Sequence, residues 1–144
     1  MEKLSLNYHL KLQEMCDCYM ETDFSNAMQS MAGVESKDPE EDGIKYLALA
    51  IMSAITQKAE KLSFKKKGTE LKAQIDNGSK QELPVPAAAV FDKIFEIMRT
   101  ILHIEEDKGK MEFSLGLRSG EINVMVKVER KDGKQSLKIK FPKQ

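Results

Sequence analysis

Apolar residues recur along this chain with two different periods, and each change of period marks a new element. Leu4, Tyr8, Leu12, Met15 and Tyr19 fall at helical spacing, so LSLNYHLKLQEMCDCYM predicts an amphipathic helix over residues 4–20. Asp23 or Ser25 suits the cap of a short second helix running through Met31. GVESKDPEEDG, residues 33–43, combines glycine, proline and acids and predicts a linker. In IKYLALAIMSAITQKAEKL the stripe Leu47, Ala50, Ile51, Ala54 and Ile55 is widened by Leu49 and Met52, which predicts a helix buried on more than half its circumference.

The period then shortens to two. LSFKKK at 62–67 and ELKAQID at 70–76 read as strands. In the second, Leu71, Ala73 and Ile75 alternate with Lys72, Gln74 and Asp76. Gly68 and Asp76-Asn77-Gly78 supply the turns, and QELPV adds a short run. From Pro86 the helical period returns in AAAVFDKIFEIMRTILHI. Val90, Ile94, Ile97 and Ile101 form one row and Phe91, Phe95, Met98 and Leu102 the next, a face broad enough to cover a sheet. Met111, Phe113, Leu115 and Leu117 alternate after it, then Ile122, Val124, Val126 and Val128, then Leu137, Ile139 and Phe141. Asp132-Gly133 marks a two-residue hairpin. The order predicts an α+β fold: an antiparallel sheet of five to six strands with helices packed mainly on one face. Residues 1–32 form a helical extension, 33–43 an acidic linker and 44–144 the α+β domain.

If Asp132 and Gly133 alone form the loop, the register of the last hairpin follows. Val128 meets Leu137, Val126 meets Ile139 and Val124 meets Phe141 on the buried face, while Lys127 lies opposite Lys138 and Met125 opposite Lys140. Glu129 offsets part of the lysine repulsion from a diagonal position, and Glu112 or Glu70 on a neighbouring strand is placed to relieve more. Lys127, Lys138 and Lys140 are thus a candidate interaction surface, although alternation alone accounts for most of the stripe as a solvated face.

Composition narrows the function. Lys and Arg balance Asp and Glu at 23 each in 144 residues, which argues against a nucleic-acid partner, and no aromatic residue interleaves the lysines to stack a base. No apolar run reaches the roughly 20 residues that span a bilayer, and MEKLSLNYHL lacks the features of a signal peptide. A cytoplasmic protein without membrane insertion is expected. Cys16 and Cys18 lack the two further ligands of a structural zinc and, on a helix, point about 200° apart, so both read as reduced core residues. Glu105, Glu106 and Asp107 are consecutive and do not converge on one cation. His103 has no nucleophile at a recognisable spacing, and no serine lies in GxSxG. Neither an enzyme nor a cofactor is expected. Met15, Met20, Met28 and Met31 crowd the N-terminal segment; they fit first the filling of a small irregular core and second an adaptable docking surface. Met15, Met20 and Met28 are therefore carried as a second candidate surface.

The segments ALAIMSAITQKAEKLSF, ELKAQIDNG, VFDKIFEIMRTILHI and MEFSLGLRSGEINVMVKVERKDGKQSLKIKF together resemble one family. It is the PAS-like N-terminal domain (N2-type) of the hexameric ATPases that drive type II secretion and type IV pili. The likeness covers Ile44 to Phe141 and rests on the order and spacing of elements. Those ATPases continue into a RecA-like domain with a GxxxxGK[ST] loop, which is missing here. The family's strand arginines correspond to Lys72, Gln74 and Met125, and a methionine cannot pair with a phosphate oxygen. The resemblance implies a stand-alone, non-catalytic module that binds or regulates another protein or a second copy of itself, a homodimer, in the setting of a secretion or pilus system. The alternative it implies is a PAS-like sensor holding a small molecule or nucleotide between helix and sheet.

Overall fold

The computed structural model describes residues 2–18, 23–117 and 120–142. Four helices and six strands follow in the order α1 (Glu2–Cys18), α2 (Phe24–Met31), α3 (Pro39–Thr56), β1 (Lys61–Lys67), β2 (Glu70–Asp76), β3 (Lys80–Glu82), α4 (Ala88–Leu102), β4 (Lys108–Leu117), β5 (Gly120–Lys131) and β6 (Lys134–Lys140). The strands form one antiparallel sheet in the order β3-β2-β1-β6-β5-β4. The fold is α+β, with an antiparallel sheet and a helical layer, as the pattern predicts.

Alternation decides which face is covered. Leu62, Phe64, Ala73, Ile75, Phe113, Leu115, Val124, Val126, Val128, Leu137 and Ile139 share one parity and are buried. Against them lie the two rows of α4 and the inner face of α3, in which every residue from Gly43 to Ala54 except Lys45 is buried. Tyr46, Phe64, Phe91 and Phe95 form a chain of edge-on rings with centroids 6.2, 6.1 and 5.5 Å apart, tying α3, β1 and α4 together. Tyr46 also donates from its hydroxyl to the Pro84 carbonyl at 2.5 Å, so its polar atom is satisfied.

The hairpin register is as the sequence predicts: Val128 opposes Leu137, Val126 opposes Ile139, Lys127 opposes Lys138 and Met125 opposes Lys140. Asp132 and Gly133, both at positive φ (49° and 78°), make the turn. The expected Val124–Phe141 pair is not in the ladder. β6 ends at Lys140, and the Phe141 N–H donates instead to the Glu60 carbonyl at 3.0 Å.

The N-terminal helices belong to the same core as the sheet. α1 packs on α3, α4 and β4, and Tyr8, Leu12, Cys16 and Met28 are all buried within one continuous hydrophobic cluster. The Tyr8 hydroxyl is pushed up to about 12 by burial and then by its contact with the Glu40 carboxylate. Helix α3 begins five residues before the expected Ile44, inside the segment read as linker. Asp38 accepts from the Glu41 N–H, Pro39 opens the helix, and Glu40, Glu41 and Asp42 occupy the first turn, where the helix dipole favours them. No helix of the described residues is long and apolar enough to cross a membrane.

Leu12 is fully buried, so Leu12→Ala leaves a cavity beneath α1. Urea unfolding should show a loss of about 2–5 kcal/mol. A cost under roughly 1 kcal/mol would mean that α1 is peripheral to the core.

Candidate interaction surface

The face of the sheet opposite the helices carries the positions of the other parity, and lysine dominates it. Among the described residues these are Lys61, Lys65 and Lys67 of β1, Lys72 of β2, Lys80 of β3, Lys108 and Lys110 of β4, Lys127 and Lys131 of β5, and Lys134, Lys138 and Lys140 of β6. The acids there are half as many: Glu70, Asp76, Glu82, Glu112, Glu121 and Glu129. Since the whole chain is neutral, its remaining surface carries the compensating acids.

Sheet order brings like charges into direct opposition. Lys127 faces Lys138 on one side and Lys110 on the other, Lys61 faces Lys140, Lys65 faces Lys72, and Lys134 lies between Lys131 and Lys67. Adjacent strands are about 4.8 Å apart, so Lys110, Lys127 and Lys138 form a row roughly 10 Å long. Glu112 faces Met125 and so meets that row only diagonally, at Lys127, while Glu70 faces Lys67. Glu129 is taken up by Lys108 at 3.5 Å.

Lys138 is the electrostatic centre of this surface. Its ammonium pKa lies below the ordinary lysine value, first because it is partly desolvated and then because Lys65, Lys61 and Lys127 surround it; Glu129 opposes the shift. Ser63, beside it on β1, is buried on a face that is otherwise wet, under the neighbouring side chains. Of the lysines expected to form a surface, Lys127, Lys138 and Lys140 therefore do share one, enlarged by Lys61, Lys65 and Lys110. The run KLSFKKK carried the signal for the β1 members, but only the pairing of β1 with β6 places them there.

The described members of the expected methionine surface do not form an exposed patch. Met28 is 1% exposed and fills the core beneath α2, Met15 is half-buried against it, and Met20 lies outside the described residues. Cysteine is likewise split: Cys16 is buried, its thiol pushed up to about 12 chiefly by burial, whereas Cys18 is exposed rather than in the core. Cys16 is thus a protonated core group.

On the helical side a cleft of about 470 Å³ opens where the end of α4 meets β1, β5 and β6. Its cations are already engaged. Lys66 pairs with Asp92 at 2.5 Å. Arg99 donates to the Glu106 and Asp107 carbonyls at 2.7 and 3.2 Å, and Arg130 donates to the Asp107 carboxylate at 2.9 Å and the Glu105 carbonyl at 3.1 Å. The two guanidiniums clamp the α4–β4 loop. His103 ends α4 at φ 55° and is exposed, with no nucleophile bonded to it among the described residues. The described residues contain no cluster of three or more His, Cys, Asp or Glu suited to a metal ion. Neither the protein-family models nor the curated proteins searched contain a match to this chain.

The lowered Lys138 pKa fixes a sign. Between that folded value and the ordinary value near 10.5, the unfolded chain binds more protons, so stability rises with pH across this window; below it, charged Lys138 costs stability. Lys138→Gln should therefore stabilise the protein at pH 7 and about 10 mM salt by roughly 0.2–0.5 kcal/mol. The gain should fade near 0.5 M salt as the charges are screened. Paired urea titrations at the two salt concentrations measure it, and a loss of stability at low salt would contradict the repulsion.

Proposed function

We propose that this chain is a non-catalytic protein-interaction module whose open sheet face docks the acidic surface of a partner protein. The observation that carries the reading is the concentration of lysines on one flat face of a neutral chain, held in opposed rows at a cost in stability. Such a face raises the association rate of an acidic partner and orients it. The likeness to the N-terminal domain of secretion and pilus ATPases makes a secretion or pilus assembly the proposed setting, with the module acting by binding or regulation.

Two features favour a protein over a nucleic acid, and a third disfavours a small molecule. Glu112, Glu129 and Asp76 lie among the lysines, where they repel a uniformly negative phosphate backbone but pair with basic groups of a mixed-charge protein. The described outward positions hold no arginine for bidentate phosphate or base contacts and no aromatic ring for stacking. The layer between helices and sheet is filled by aliphatic and aromatic side chains, which disfavours a small-molecule sensor built there.

Amide chemical shifts followed during titration with polyglutamate should move on β1, β5 and β6, and Lys138→Glu should weaken that binding about tenfold. Shifts confined to the helices, or tighter binding of a DNA duplex than of polyglutamate at equal salt, would refute the reading.

A further inference from the structure

We propose that β4 pairs with β4 of a second copy of this chain, antiparallel about Met111, so that one sheet runs through two subunits. Strand β4 is one of the two outer strands of the sheet and is ten residues long, against three for β3. The His9 imidazole donates from Nε2 to the Ser114 carbonyl at 2.9 Å, and the Gly116 N–H donates to the Gln13 side chain at 2.6 Å. Both contacts come from α1 and reach the strand from its free side. Backbone groups of an antiparallel strand alternate between its two neighbours, so Lys108, Lys110 and Glu112 also point their N–H and C=O groups off the sheet. Nothing among the described residues bonds to those groups. Among the described residues, helix α1 therefore closes one end of the edge and leaves 108–112 bare.

That bare stretch is complementary to itself. In a two-fold pairing centred on Met111, each Lys110 faces the other copy's Glu112, giving two hydrogen-bonded residue pairs and two ion pairs on the lysine face. The two Met111 side chains meet on the helical face. Met111 is 44% exposed although it has the inward parity of the buried Phe113 and Leu115. Neighbouring registers lack this complementarity: a shift of two residues sets Lys110 against Lys110 or Glu112 against Glu112, and a shift of one turns Met111 to the wrong face. Lysines on an edge usually block pairing, but here Glu112 two positions on converts the charge from a barrier to a selector of register. The pairing uses the sheet edge and not the N-terminal helices, and it sets an acid from the second copy at the end of the Lys110, Lys127, Lys138 row.

Sedimentation equilibrium of the full chain tests the pairing. The expected mass is twice 16.3 kDa. Lys110→Glu and Glu112→Lys should each raise the dimer Kd at least about tenfold, and the double variant K110E/E112K should restore it. Lys110→Pro, which removes an N–H only from the free side, should also favour the monomer. A chain that stays at 16.3 kDa up to about 200 µM overturns the proposal, as does a dimer that neither charge reversal nor proline weakens.

Discussion

The pairing of β1 with β6 holds the architecture together. Without it the chain would comprise two separate three-stranded units, β1 to β3 and β4 to β6, each with an apolar face too narrow for the helices. Seven register pairs from Lys61↔Lys140 to Lys67↔Lys134 fuse them into a sheet wide enough to bury α3 and α4 side by side. The same pairing makes the lysine face continuous, because it sets Lys61 and Lys65 against the strand that carries Lys138 and Lys140. Fold and candidate surface thus share one cause.

What the sequence disclosed follows from how local each determinant is. The inward aliphatic rows, the Asp132-Gly133 turn and the register beyond it depend on residues a few positions apart, and all were legible. The adjacency of β1 and β6 was not, since nothing in either strand names a partner 67 to 79 positions away. For that reason the lysine stripe seemed confined to one hairpin and its imbalance open to relief by acids. The start of α3 was locally encoded in Asp38-Pro39-Glu40-Glu41, an N-cap followed by a first-turn proline and acids, but acids beside glycine and proline resemble a linker equally well. Burial of Met28 depended on where α2 docks, which helical periodicity does not specify, whereas Cys16 was legible as a core residue.

Neutral overall charge concealed a separation of charge. The open face holds the lysine excess, while acids gather at the start of α3 and along the α4–β4 loop, where helix dipoles and the guanidiniums of Arg99 and Arg130 stabilise them. The balanced composition spoke only against a nucleic-acid partner, because it averages over two sides that the fold keeps apart. One-sided burial, which forces strand side chains of one parity outward together, turns a balanced sequence into a polarised particle.

The position of α1 bears on how this chain is made. Tyr8 and Leu12 leave the ribosome well before α4 and β4, on which α1 partly packs. β1 must likewise wait for β6 before its second edge is covered. Until β6 has emerged, the nascent chain therefore displays apolar helix faces and an unpaired strand. Such long-range closure is slow compared with helix formation, so folding is expected to finish only after β6 is free of the ribosome.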